Sequence, residues 1–396
     1  MKHRIVVLGS GYAGATTAGI LAHRLHPDDF EITVVNAAPV FVQRMRLHQL
    51  AVGREVKAPE LADVYAGTGV RLRLARVTAV HPGRNAVTVT DENGDDELAY
   101  DTLVYALGST VADQGVPGVA EHAFHVTSRP AALRLKERLD GLSEGAEVVV
   151  VGEGLTGIET VTEFAEARPD LSLSLVAHRE PGAWLSPGAR RHLKGAFDRL
   201  GVTVHEHTDI ERVEANRVIA ADGTVFESDA TVWTAGFTAH PIAAAAGLEV
   251  TESGRIAVDR QMRSLSHPNV YAVGDSVFVI GDNGRPMPMS CGSAGYTSMQ
   301  AVSSIVGLLT GRKAETTKLS YIGNHISLGR KDAIFQLVDG DAQAKPRSLK
   351  GRTAARVKAD ILSMSLWAVH HPTFGIPKRR HRLATAAERA GEAIAA

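Results

Sequence analysis

The sequence predicts an α/β protein of two parallel-sheet halves, with a smaller α+β region at its C-terminal end. Two glycine-rich turns, each set between an apolar strand and a helix, carry that expectation. Two further strands ending in small residues close the halves, and a late strand ending in Gly274-Asp275 returns to the first of them.

Residues 4–8, RIVVL, are apolar and β-branched, as a buried parallel strand should be. They run into Gly9-Ser10-Gly11-Tyr12-Ala13-Gly14, a G-x-G-x-x-G, followed by a helix expected over Ala15–Leu25 and a strand over Glu31–Asn36. In such a turn the first glycine makes the bend and the second lets a pyrophosphate approach the backbone. The third lets helix and strand pack closely, and the helix N-terminus faces the phosphates. The pattern recurs. EVVVV (147–151) precedes Gly152-Glu153-Gly154-Leu155-Thr156-Gly157, with a helix expected from Ile158 to about Ala167 and a strand over Leu171–Ala177. One such turn is a weak signal, but two complete Rossmann-like units argue for two bound dinucleotides. YDTLVYALGS (100–109) and DATVWTAGF (229–237) each close one half, and NVYAVGD (269–275) places a glycine and an aspartate at the carboxyl end of a strand.

Composition narrows the function classes. A chain of 396 residues with 44% hydrophobic content supports two or three packed domains. One cysteine, Cys291, forbids an internal disulfide and removes any paired-thiol relay. The apolar runs IVVL, VVVV and IAAAAGL fall short of the roughly 18 residues of a membrane-spanning helix, and the first residues lead straight into a strand. A cytoplasmic protein is expected, peripheral at the inner face of the membrane if its basic end meets lipid. Between Asp341 and Ala396 eleven basic residues face four acidic ones, net +7, which leaves −8 for the rest of a chain whose formal charge is −1. A basic end on an acidic body suits an anionic surface such as a membrane face, and a solvated polar face is the plain alternative. No metal is expected, because no H-E-x-x-H or cysteine–histidine spacing occurs, and no G-x-S-x-G suggests a hydrolase.

In their order, these motifs resemble the two-dinucleotide-binding-domain flavoproteins, the pyridine nucleotide-disulfide reductase superfamily taken broadly. The segments GIE (157–159) and FVQRMRLHQLAVG (41–53), and the stretch from Tyr321 to Pro372, look like type II NADH dehydrogenases and their AIF-like relatives, which also lack the redox-active cysteine pair. The resemblance implies FAD on Gly9, Gly11, Gly14 and Asp275, with Gly108 and Gly274 at the strand ends, and a nicotinamide cofactor on Gly152, Gly154 and Gly157. Where an acid would meet the adenosine ribose of FAD stands Asn36, a weaker acceptor. The equivalent end in the second unit reads Ala177-His178-Arg179, a guanidinium and an imidazole with no acid, so NADPH is expected over NADH. Glu153, inside the phosphate loop, is not expected to replace the missing acid.

The stretch SCGSAGYTSMQ (290–300) then falls where the superfamily's helix N-terminus points at the flavin. Two acceptor-site glutamines of the type II dehydrogenases align with Gly292 and Tyr296. Cys291 has three readings: a small apolar filler, a thiol of lowered pKa, or a covalent flavin link. Glu159 is a candidate to orient the nicotinamide carboxamide, or else a helix-surface carboxylate. Arg44, Arg46, His48 and Gln49 cluster where the superfamily's chain passes the flavin, and Arg46 or His48 is a candidate to polarise it or to supply a proton. Arg352–His371 places Ala355, Lys358, Ile361, Leu362, Ser365, Leu366 and Val369 at helical spacing, a face for a membrane surface or for the protein's own domain.

The expected organisation is an FAD domain from residues 1–118 and 262–318, an inserted NAD(P) domain over 119–261, and a C-terminal interface and acceptor-site region over 319–396 carrying the basic tail. The expected activity is hydride transfer from NAD(P)H to FAD and then to a quinone-like or aromatic acceptor near Cys291 and Tyr296. Two alternatives stay open: an FAD-dependent oxidase or dehydrogenase of a specialised small molecule, and an AIF-like redox-sensing protein. The expected partners are a small-molecule electron acceptor, a membrane face and a second copy of the chain; nucleic acid is not expected.

Overall fold

The computed structural model describes residues 1–321, 323–339, 343–376 and 380–385. Five parallel strands form the first sheet in the order Val270–Ala272, Thr102–Tyr105, His3–Leu8, Phe30–Asn36, Arg71–Leu74. Both faces are covered, which is why the strands read as unbroken apolar runs: Ile5 to Leu8 and Leu103 to Tyr105 are all buried. Leu8 lies opposite Val35 on one side and Tyr105 on the other, so the carboxyl ends of three strands coincide. The chain leaves His3–Leu8 in opposite directions for its two neighbours, and this switch point opens a crevice at those ends.

The second sheet repeats the plan with four parallel strands, Thr203–His205, Ser172–Val176, Glu147–Val151 and Ala230–Trp233. A short antiparallel ribbon of Ser109–Val111 and Phe237–Ala239 ties the two halves together. The stretches 100–109 and 229–237 thus break after four residues of strand, at Gly108 and Gly236, where positive φ turns the chain into the ribbon.

Both glycine-turn helices start earlier than apolar spacing alone predicts, at Tyr12 and Leu155, immediately after the second glycine. Their first turns consist of the motif itself, whose small residues carry no helical periodicity. Along Tyr12–Arg24 the small residues Ala13, Gly14, Ala15, Ala18 and Gly19 are buried, and the long helix Cys291–Thr310 packs against it. Ser298 Oγ donates to the Ala13 carbonyl at 3.2 Å across that contact.

The C-terminal region is a three-stranded antiparallel sheet, Gly323–Ser327, Ala333–Val338 and Ala344–Lys350, followed by the helix Gly351–His370. Ile326, Leu328 and Ile334 join the core of the second half, as do Leu47, Leu50 and Ala51 from the first. The helix buries Ala354, Lys358, Leu362 and Val369 against the protein itself, while Ala355, Ile361, Ser365 and Leu366 are half-buried. Beyond it the chain crosses the first glycine-turn helix. The His381 N–H donates to the Arg24 carbonyl at 2.8 Å, the Leu383 N–H donates to Asp29 at 3.1 Å, and Arg382 forms ion pairs with Asp28 and Asp29. Part of the basic excess is therefore spent internally, on Asp28 and Asp29 by Arg382 and on a buried carboxylate by Lys358. Lys378, Arg379 and Arg389 lie outside the described residues. Among the described residues no helix is long and apolar enough to cross a membrane.

A Cβ added at Gly19 would stand 2.4 Å from Pro372 Cγ. Gly19→Val is expected to lift the segment after the C-terminal helix off the first half while leaving both sheets intact. Limited proteolysis read by mass spectrometry should then show faster cleavage between residues 372 and 385 with unchanged circular dichroism; an unchanged cleavage rate would show that the contact does not hold the segment.

Candidate active site

The two glycine turns are built alike. Gly9 has φ +94°, and a Cβ there would sit 2.5 Å from the Ala106 carbonyl oxygen; one at Gly14 would sit 1.9 Å from the Gly9 oxygen. A Cβ at Gly11 would meet nothing within 4 Å. The outer glycines are thus demanded by helix–strand packing, whereas the middle one faces open space and is explained by an approaching ligand. In the second half Gly152 (φ +119°) and Gly157 are equally hemmed in, at 2.8 Å from Thr234 and 1.8 Å from the Gly152 oxygen, and Gly154 is open. Gly11 and Gly154 are the N-caps and supply no side-chain acceptor, which leaves the first-turn N–H groups for an anion. Each turn fits a dinucleotide pyrophosphate.

Asn36 stands at the end of the second strand and braces the first turn. Its Oδ1 accepts the Ser10 N–H at 2.9 Å and its Nδ2 donates to the Ala38 carbonyl at 2.7 Å. One acceptor position on Oδ1 remains for a ribose hydroxyl. Across the crevice Ser109 Oγ donates to Asp275 at 2.7 Å, and Arg44 reaches both, donating to Ser109 Oγ at 3.2 Å and standing 3.7 Å from Asp275. The Gly108 N–H donates to Ser276 Oγ at 2.8 Å, and the Gly274 N–H donates to Thr297 Oγ1 at 3.0 Å. Gly274 has φ +72°, and a Cβ there would stand 2.9 Å from Ala13 Cβ. The fold therefore gathers Gly9, Gly11, Gly14, Asn36, Arg44, Gly108, Gly274 and Asp275 along one continuous wall.

Cys291 is the first residue of its helix, whose N-cap Ser290 accepts the Ser293 N–H at 3.1 Å. Burial pushes the thiol above its ordinary value, and Lys358 offsets this only in part. That direction runs against a thiol activated by the helix N-terminus. Gly292 and Gly295 are exposed on the same first turns, and Tyr296 is half-buried against the first core. Tyr12, inside the glycine turn, buries its hydroxyl without a partner among the described residues, and burial raises its pKa. Nothing in the sequence singled it out, because it occupies a variable position of the motif.

Glu159 lies deep in the protein and not on a helix surface. Its Oε1 accepts the Ser327 N–H at 2.7 Å and pairs with Lys358, which also donates to the His325 carbonyl at 3.0 Å. Burial pushes this carboxyl up, but Lys358 and the Ser327 N–H hold it below its usual value. Its committed oxygen argues against a free group awaiting a carboxamide. His48 is buried beside this pair, and burial lowers its pKa to about 4; His325 is lowered to about 4 for the same reason. That direction leaves His48 neutral near pH 7, with one ring N–H and no charge to offer a flavin. Arg46, half-buried, donates to Gln49 Oε1 at 2.9 Å. The sequence signal for Lys358 was a lysine on the buried stripe of an amphipathic helix, where an unpaired ammonium would not be tolerated.

At the second turn His178 is exposed and paired with Asp209. The His178 N–H donates to Glu153 Oε2 at 3.2 Å, so the glutamate in the phosphate loop does reach the end of the neighbouring strand. Arg179 is exposed beside it.

Two glycine cradles at the switch points of two parallel sheets, with an aspartate and an arginine lining the first crevice, define a two-dinucleotide flavoprotein reductase. The chain belongs to the pyridine nucleotide-disulphide oxidoreductase family, whose profile matches residues 3–297. It is an FAD-dependent NAD(P)H oxidoreductase. A NADH dehydrogenase-like protein of Mycobacterium tuberculosis is 28% identical to it over 355 residues, covering 84% of this chain and 87% of that one. A type II NADH:quinone oxidoreductase of Haemophilus influenzae is 23% identical, covering 92% of this chain and 94% of its own. In fold the chain is similar to the sulfide:quinone oxidoreductase of Aquifex aeolicus, with a TM-score of 0.77 at 20% identity over 93% of this chain and 92% of that one.

Removing one member of the buried pair strands the other. Lys358→Met is expected to cost about 3–5 kcal/mol by leaving Glu159 uncompensated, and the double variant with Glu159→Gln should recover most of it in urea unfolding; a single-variant cost near zero would show the pair to be water-screened.

His48 and His325 are neutral when folded and gain protons when unfolded, so their contribution is full above about pH 6.5 and is lost as pH falls toward about 4. His48→Gln should flatten the acid limb of the unfolding midpoint between those values; an unaltered limb would show that His48 titrates normally.

Proposed function

We propose that the first crevice holds FAD and the second turn holds the adenosine half of NAD(P)H, and that electrons leave to a quinone-like or aromatic acceptor beside Cys291, Tyr296 and the C-terminal region. The observation that carries this is the pair of cradles with open middle glycines, one of which shares its wall with Arg44, Ser109 and Asp275. Names of relatives that reduce quinones support the acceptor class.

When bound, FAD supplies the two-electron relay between nicotinamide and acceptor. The chain's own residues bind, orient and exclude water. The first-turn N–H groups and the bare edges of Gly11 and Gly154 receive phosphates, and Asp275, buttressed by Ser109 and Arg44, offers an acceptor to a ribityl hydroxyl. Small residues at Gly292 and Gly295 admit a flat ring close to the helix backbone. Exposed Met364 and Trp367 late in the C-terminal helix and Phe374 just after it, with exposed Arg352 and Arg356 in the helix's first turns, support contact with a membrane face, where such acceptors dissolve. Gly292 and Tyr296, standing where the resembling dehydrogenases carry glutamines, favour a second reading: oxidation of a dedicated small molecule.

Purified protein should be yellow, and its flavin should be bleached by NADH or NADPH in stopped flow and recolour on adding a short-chain quinone. Slow bleaching by both nucleotides would favour the second reading. Asp275→Ala should weaken flavin binding about tenfold or more, read by flavin absorbance per protein. Cys291→Ser should leave the bleaching rate within about twofold because the thiol stays protonated; a larger loss would assign the sulfur a chemical role.

A further inference from the structure

The end of the strand Ser172–Val176 lacks the acid that usually meets the adenosine ribose: the chain continues Ala177-His178-Arg179. Glu153 leaves the glycine turn 25 residues earlier, crosses to this strand end, and accepts the His178 N–H through Oε2 at 3.2 Å. Its carboxylate is thereby anchored at the place where a strand-end acid would stand, and Oε1 remains to accept from a hydroxyl. Asp209, in the loop after the neighbouring strand Thr203–His205, pairs with the His178 imidazole, so the one ring expected to greet a phosphate is already occupied by an anion. Of the other nearby cations, Arg190 and Lys194 are paired with Glu180, and Arg179 is exposed.

We propose that Glu153 is the residue that selects the nicotinamide cofactor: its loop-borne carboxylate, seconded by Asp209, accepts a ribose 2′-hydroxyl and repels a 2′-phosphate, so that NADH is preferred over NADPH. This rests on the second turn being the NAD(P)H cradle. It reverses the preference read from Ala177-His178-Arg179, because three-dimensional proximity supplies two carboxylates that the local sequence does not. A hydroxyl donates to a carboxylate, whereas a phosphate brings like charge against it with no proton to share.

The test uses flavin-loaded protein and calorimetric binding of adenosine 5′-monophosphate and adenosine 2′,5′-bisphosphate, with the bleaching rates by NADH and NADPH alongside. The native protein should bind the monophosphate about tenfold more tightly than the bisphosphate. Glu153→Gln keeps the shape and the acceptor oxygen but removes the charge, and should bring that ratio close to one, chiefly by tighter bisphosphate binding; Asp209→Asn should move it the same way by less. Tighter bisphosphate binding by the native protein, or a ratio unmoved by Glu153→Gln, would overturn the assignment while leaving the cradle standing. Failure of both nucleotides to bind, with no bleaching by either dinucleotide, would remove the cradle reading and the role of Glu153 with it.

Discussion

The structure depends on the approach of a helix to a strand at a distance that no side chain permits. At each glycine turn a Cβ on the third glycine would fall within 2 Å of the first glycine's carbonyl oxygen. This closeness lets the helix begin directly after the middle glycine and aims its free N–H groups into the crevice at the strand ends. In the first half the same economy of volume extends outward: Ala13 meets Gly274, and the small face of Tyr12–Arg24 takes the helix Cys291–Thr310 on one side and Pro372 on the other. Bulk at any of these places would separate the elements that line the site.

The C-terminal region acts as a brace between the halves. Its sheet docks on the second half through Gln336, whose Oε1 accepts the Ser186 N–H at 3.1 Å, and through Asp332, which holds His192 and Arg199. Its helix sends Lys358 to Glu159 of the second half, while the chain beyond it ties back to Arg24, Asp28 and Asp29 of the first. A reaction that requires two rings to meet at van der Waals distance gains from a brace that limits how the two halves move relative to each other. The buried Glu159–Lys358 pair is costly to desolvate, and its partners, the Ser327 N–H and the His325 carbonyl, complete it on both charges.

Much of the fold was legible because its signals are local. A parallel strand buried on both faces must be continuously apolar, and a phosphate-binding turn must have glycines at fixed spacing; RIVVL before Gly9 and EVVVV before Gly152 display both. Asp275 was legible because it ends a strand of the same kind. Apolar periodicity starts both helices late because their first turns are spelled by the motif and not by periodicity. For Glu159 the sequence leaves a carboxamide-orienting group or a helix-surface carboxylate, and burial removes the second, since nothing near it in the chain reveals the lysine 199 positions away that pairs with it. His48 and Cys291 sit in stretches that promise reactivity, yet both are governed by desolvation, a property of what packs over them.

By itself, the sequence determined two dinucleotide cradles, their order, and the absence of a dithiol relay, because each follows from residue type at short range. Tertiary structure alone decided which charges neutralise which: Lys358 with Glu159, Arg382 with Asp28 and Asp29, Asp209 with His178, and Glu153 against the far strand end. Charge pairing depends on distance in space, and distance in space between residues far apart in the chain is set only when the sheets, helices and C-terminal brace have packed.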